Sequence, residues 1–255
     1  MGNIRYKLAG IVLLVAVLTS TSMAGDIKSP VQAVSVAGKQ RMFSYRILRD
    51  YLMVSMETDY KDPKNDMAKN IEAFSQGLKD ISTYSKDAKV QDALSKTEEI
   101  FENFTQILSS SFDTSKGSDY LAKAVSLSNS VDMVVSGLSK DTSGMLIDKI
   151  GRLRAVSQKI SALYLLNTIA QNTESMKEQM QKEMTAFREG MDTLKKIKLA
   201  DATMKKNLKK LEKIYIFFEI MNASDTHTPI IVCKKADKML RIADALTRYL
   251  VKIKK

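Results

Sequence analysis

Residues 36–46 read VAGKQRMFSYR, and residues 149–159 read KIGRLRAVSQK, so that matching side chains recur at an offset of 113 positions. The matched pairs are Gly38 with Gly151, Arg41 with Arg154, Ser44 with Ser157, and Arg46 with Lys159. Further matches downstream keep this offset to within one position. Because a fixed period marks a repeated structural unit, the sequence predicts two tandem copies, at residues 27–140 and 141–255.

Each copy is predicted to be a bundle of four helices. The 255 residues include only 10 Gly and 3 Pro, too few turn residues for a sheet of many strands. Short loops between long helices favour antiparallel packing, so the predicted fold is all-α, with two tandem antiparallel four-helix bundles. In copy one we expect helices near residues 30–60, 65–84, 88–110 and 119–138. In copy two we expect helices that begin near residues 145, 175, 200 and 229, although the first two could be one long bent helix.

The N-terminus resembles a secretory signal peptide. Arg5 and Lys7 precede an unbroken apolar run, LAGIVLLVAVL, which is too short to span a membrane. A small-x-small pattern ends at Ala24, so residues 1–24 are predicted to be removed after export to the periplasm. An uncleaved anchor is the alternative.

Composition excludes several classes of function. One Cys and one His exclude a disulfide within the chain, a cysteine-based zinc site and a histidine-rich metal centre. We find no pairing of nucleophile and base and no phosphate-binding loop, so we expect no enzyme activity, no metal and no cofactor. The net charge of +11 lies mostly in residues 141–255. For an exported protein this favours a solvated basic face, or an anionic partner, over nucleic acid.

An arginine interrupts the apolar stripe of the first helix of each copy. Helical spacing aligns Arg41 with Val, Ala, Ser, Leu and Tyr side chains, and Arg154 occupies the same place in copy two. A buried guanidinium needs an anionic partner, since it stays charged and offers five donors. That partner is either a carboxylate of another helix, such as Asp132 or Asp244, or a small anion bound between helices.

The stretch AGKQRMFSYRILRDYL resembles the P-box helix of the PilJ-type sensor domain, which occurs in type IV pilus chemoreceptors and in nitrate/nitrite sensor kinases. The resemblance implies a periplasmic four-helix bundle in which a P-box arginine from each of two protomers holds one nitrate. That role falls on Arg41, and in copy two on Arg154. The candidate ligand-binding residues are Gly38, Arg41, Ser44, Arg46, Gly151, Arg154, Ser157 and Lys159.

Two functions remain open at this point. The chain is a stand-alone periplasmic sensor that binds a small anion, such as nitrate or nitrite, and acts with a membrane chemoreceptor, sensor kinase or transporter. Alternatively, it is an envelope or pilus adaptor with no small ligand. Convergence of Arg41 and Arg154 without an intervening carboxylate would favour the sensor, whereas pairing of each arginine with an acid of its own bundle would favour the adaptor. The two P-box helices are expected to pair within one chain, which would make a pseudo-dimer, or else within a homodimer.

Overall fold

The computed structural model describes residues 27–169, 174–196, 202–224 and 228–253, and within these ranges the chain is helical and has no strand. The expected all-α class is therefore confirmed. The helices are α1 (Pro30–Ser55), α2 (Pro63–Tyr84), α3 (Ala88–Leu108), α4 (Gly117–Leu138), α5 (Thr142–Ile169), α6 (Glu174–Lys196), α7 (Ala202–Asn222) and α8 (Pro229–Ile253), with a short 3-10 turn at Thr114–Lys116 before α4. The predicted signal segment and its cleavage site lie outside the described residues.

Local capping chemistry sets the helix starts in copy one. Ser29 caps α1 by accepting from the backbone of Gln32, and Asp62 and Asp87 cap α2 and α3 in the same way. Proline stands at the first position of α1 and of α2, where its missing N–H leaves no donor unsatisfied. The predicted end of the first helix was wrong: α1 ends at Ser55 rather than near residue 60.

The predicted start of the second helix of copy two, near residue 175, agrees with α6, which begins at Glu174. The junction that could have made α5 and α6 one bent helix falls on residues 170–173, outside the described ranges.

Helices α1 and α5 lie at the centre of the fold. In one half of the chain, α1 packs against α2 and α4, and α3 packs against both α2 and α4. In the other half, α5 packs against α6 and α8, and α7 packs against both α6 and α8. The most extensive contact joins α1 to α5, and α1 also contacts α8. The six residues predicted to form the stripe on α1 are all buried, as are their counterparts on α5.

The repeat is visible in how the helices approach one another. On α2, a Cβ at Gly77 would overlap the amide of Gln40 on α1. On α6, a Cβ at Gly190 would lie 2.6 Å from Leu153 Cδ2 on α5. Gly77 and Gly190 are 113 positions apart, and so are the two residues that they face, Gln40 and Leu153. The same close approach therefore brings the second helix of each copy against the first.

Candidate functional site

The guanidinium groups of Arg41 and Arg154 meet where α1 crosses α5. Each side chain is only 2% exposed. Arg41 Nη1 and Arg154 Nη2 lie 3.5 and 3.7 Å from the point that a Cβ on Gly38 would occupy. Two cations thus converge in the interior of the molecule, and they come from repeat-equivalent positions of a single chain.

Arg41 is held by carboxylates from both halves. Its Nε pairs with Asp132 of α4, and its Nη1 donates to Asp148 Oδ1 of α5 at 2.5 Å. The half-exposed Arg152 approaches the same two acids, with nitrogen–oxygen distances of 3.3 Å to Asp132 and 3.4 Å to Asp148. Two arginines and two aspartates therefore balance in charge on this side, while Arg41 Nη2 remains buried without an acceptor.

Arg154 has a poorer set of partners. Its Nη1 donates to Asp244 Oδ1 of α8 at 3.2 Å, its Nη2 donates to the backbone carbonyl of Ser35 at 3.0 Å, and its buried Nε has no acceptor. Arg248 shares the same carboxylate at 3.4 Å. Burial, with the nearby charges of Arg41 and Arg248, holds the pKa of Arg154 below its ordinary value despite the attraction of Asp244.

Gly38 and Gly151 provide room for these guanidinium groups. Small residues on a helix commonly let a second helix backbone approach closely. The atoms nearest a Cβ on either glycine are instead guanidinium nitrogens, with Arg154 Nη2 at 3.1 Å above Gly151. A Cβ on Gly151 would therefore press on the Arg154 head group, whereas a Cβ on Gly38 would make ordinary van der Waals contact with both guanidinium groups.

The two serines of the motif are bonded to their own helices. Ser44 Oγ donates to the carbonyl of Gln40 at 3.2 Å, and Ser157 Oγ donates to that of Arg154 at 2.7 Å. Both serines are fully buried, so they fill the packed seam between α1 and α5.

The basic pair that ends the motif has two different environments. Lys159 donates to Glu183 of α6 at 2.6 Å, and its Nζ lies 5.4 Å from the centre of the Tyr45 ring. Arg46 is half-buried, its Nε has no acceptor, and no carboxylate pairs with it within the described ranges.

A cleft of about 420 Å³ opens beside Arg41, between α1, α4, α5 and α6. Its lining mixes both signs of charge: the basic residues are Arg41, Lys149, Arg152 and Lys159, and the acidic residues are Asp132, Glu183 and Glu189. Together with Asp148 beneath Arg41, the acids match the bases in number. We call this region the mixed cleft.

A second buried ionic network, which the sequence analysis missed, joins the two halves. Arg49 of α1 is 1% exposed and donates to Asp50 at 2.8 Å, to Asp237 of α8 at 2.6 Å and to Gln158 of α5 at 2.8 Å. Asn70 of α2 donates to the other oxygen of Asp50 at 2.6 Å. Side chains from α1, α2, α5 and α8 thus form one hydrogen-bonded cluster around Arg49, which we call the Arg49 network.

The loop between α1 and α2 closes this network. Tyr60 donates to Asp237 Oδ2 at 3.0 Å, and Lys61 pairs with the same oxygen. Lys61 adopts a φ of 62°, a left-handed conformation that non-glycine residues seldom take. Burial opposes ionisation of Asp237, yet Arg49 and Lys61 outweigh it and hold the pKa of Asp237 below its ordinary value.

The described residues contain no cluster of acidic, histidine or cysteine side chains that could hold a metal ion. Cys233 is buried beside the Arg49 network, and burial raises the pKa of its thiol to about 12. His227 lies outside the described ranges. None of the helices described is long and apolar enough to cross a membrane.

Comparison with known proteins gave no match: no family model, no curated protein and no solved structure is similar to this chain.

Proposed function

We propose that this chain is a sensory binding module of the bacterial periplasm, which takes up a small anion at the seam between α1 and α5. Arg41 and Arg152 are balanced there by Asp132 and Asp148, whereas the charges of Lys39, Arg154 and Arg248 all act on Asp244. Two buried guanidinium nitrogens also lack an acceptor. This surplus of buried donors and positive charge is the observation that supports the proposal.

The finer architecture belongs to the same proposal. We take residues 27–140 and 141–255 as two antiparallel four-helix domains of the PilJ type. Their separate circuits of helix contacts and their equivalent glycine contacts support this division. The extensive contact between α1 and α5 supports a pseudo-dimer formed within one chain, in preference to a homodimer.

The cellular setting of the proposal rests on the sequence. The basic and apolar pattern of residues 1–24 supports export to the periplasm. A module of this kind would report to a membrane chemoreceptor, sensor kinase or transporter. Nitrate or nitrite would be the ligand if the chain follows the PilJ-type sensors that it resembles.

Calorimetry on the purified chain with nitrate, nitrite and sulfate tests the proposal. We expect Arg154→Lys to weaken binding about tenfold or more, because the variant keeps the charge but loses the planar fork of donors. Lys96→Gln, which alters an exposed ion pair with Asp92 on α3, is the matched control and should bind like the wild type. An absence of binding to all three anions would rule out the sensor function.

The second candidate is a ligand-free envelope adaptor, and the carboxylate partners of the seam favour it. Arg41 pairs with Asp132, and Arg154 with Asp244, each within its own half of the chain. This is the pairing expected for a seam that is closed by ion pairs. The adaptor function predicts that no small anion raises the melting temperature of the chain.

A further inference from the structure

The two sides of the α1–α5 seam are related by the repeat, and they differ in charge. On one side lies the mixed cleft. On the other side lie its repeat equivalents, on α1, α2, α5 and α8.

The cations closest to the seam are present on both sides. On the second side, Arg154 is the repeat equivalent of Arg41, Lys39 that of Arg152, and Arg46 that of Lys159. Lys149 at the mouth of the mixed cleft has the apolar Val36 as its equivalent. Arg248 of α8 adds a cation that the mixed cleft lacks.

Most of the carboxylates, by contrast, are present on one side only. Glu183, Glu189 and Asp148 have as their equivalents Asn70, Gln76 and Ser35. Asp132 alone keeps an acidic counterpart, Asp244. One acid is gained, since Asp80 stands where the mixed cleft has Thr193, and Gln76 donates to it at 2.7 Å.

The cations of this second side act on one another. Partial burial and the charges of Arg154, Arg248 and Arg46 lower the pKa of Lys39, despite the attraction of Asp244. Lys39 Nζ lies 5.6 Å from the centre of the Phe43 ring. Asp244 alone pairs with both Arg154 and Arg248. The Nε atoms of Arg46 and Arg154 are buried without acceptors. We call Lys39, Arg46, Arg154, Arg248 and Asp244 the basic face.

We propose that the anion binds at the basic face and not in the mixed cleft, and that it is a dianionic tetrahedral oxyanion of the sulfate or hydrogenphosphate kind. This inference rests on the proposed anion-binding function and specifies its ligand and its side of the molecule. Four cations against Asp244 and Asp80 leave a surplus of two positive charges, whereas the charges of the mixed cleft cancel. A dianion balances that surplus, and its four oxygens can accept from several donors at once.

Repeat-equivalent substitutions give a matched test on the full purified chain. Lys39→Gln removes a cation of the basic face, and Arg152→Gln removes its counterpart at the mixed cleft; both side chains are exposed, so folding should be preserved. Binding of sulfate, phosphate and nitrate is measured by calorimetry at constant ionic strength. We expect sulfate or phosphate to bind at least about tenfold more tightly than nitrate. Lys39→Gln should weaken that binding about tenfold, and Arg152→Gln less than about threefold.

The possible outcomes distinguish failure of the basic face from failure of the proposed anion-binding function. Equal effects of Lys39→Gln and Arg152→Gln, or tight nitrate binding without sulfate binding, would overturn the basic face and leave the sensor function standing. Failure of the wild-type chain to bind any of the three anions would overturn both. A parallel pair, Arg46→Gln and Lys159→Gln, repeats the comparison about two helical turns away and should give the same asymmetry.

Discussion

Replacing Arg49 by methionine removes the cation at the centre of the Arg49 network while keeping a long side chain in the core. Asp237 would retain Tyr60 and Lys61 as partners, but Asp50, which is 1% exposed, would retain only Asn70. Removing one partner of a buried ion pair costs about 3–5 kcal/mol, because the remaining charge is left uncompensated. For a chain of this size, that loss corresponds to a fall in melting temperature of roughly 6–20 °C.

Denaturant unfolding, followed by circular dichroism, measures the loss. Lys96→Met is the control, since its ion pair with Asp92 is exposed on both sides and should contribute less than about 1 kcal/mol. The double variant Arg49→Met/Asp50→Asn should recover at least half of the lost stability, because the stranded carboxylate becomes a neutral amide. An Arg49→Met variant that unfolds within about 1 kcal/mol of the wild type would refute the view that this network holds the two halves together.

Three further predictions follow from the described contacts. Asp237→Asn should destabilise the chain most at pH 7. Because the folded-state pKa of Asp237 is lowered, its contribution to the free energy of unfolding is fully present above the unfolded pKa of about 4 and is lost as the pH falls towards the folded-state pKa. Urea titrations of variant and wild type should therefore show a smaller difference in unfolding free energy at pH 3 than at pH 7, with part of the difference remaining at pH 3 because the folded-state carboxylate is still ionised there. Gly190→Ala should cost about 1–3 kcal/mol by pressing on Leu153, whereas Gly38→Ala, whose Cβ meets nothing closer than 3.5 Å, should unfold like the wild type. The thiol of Cys233 should resist a thiol-reactive dye at pH 8 in the folded chain and react promptly in urea, since burial raises its pKa to about 12; equal rates in both conditions would contradict its burial.

The helices and the interior position of Arg41 and Arg154 were predictable because both depend on local sequence. Capping residues and prolines mark the starts of α1 and α2 within a few positions of those expected. Helical spacing alone identified Arg41 and Arg154 as interior cations, and Asp132 and Asp244 as possible partners. An arginine within an apolar stripe is conspicuous, so the interior charge could be read from the chain.

The Arg49 network could not be found in this way. The α1 helix has neighbours on several sides, so nearly every position from Gln40 to Met53 is buried and the apolar periodicity that would distinguish an interior face is lost there. In the sequence, Arg49 and Asp50 therefore look like any charged pair on a helix surface. Their partners, Gln158 and Asp237, come from helices more than 100 positions away, and only the packing of α1 against α5 and α8 brings them together.

The Arg49 network and the basic face lie on the same side of the seam, and the first helps to account for the second. In the mixed cleft, Glu183 neutralises Lys159; its equivalent, Asn70, is neutral and donates to Asp50. Asp50 is the acid whose charge reaches Arg46, but it is already engaged by Arg49 and Asn70. The network thus occupies a carboxylate that would otherwise pair with Arg46, and leaves that arginine available to an anion. We therefore expect Arg49→Met to weaken anion binding as well as stability, because the released Asp50 would compete for Arg46.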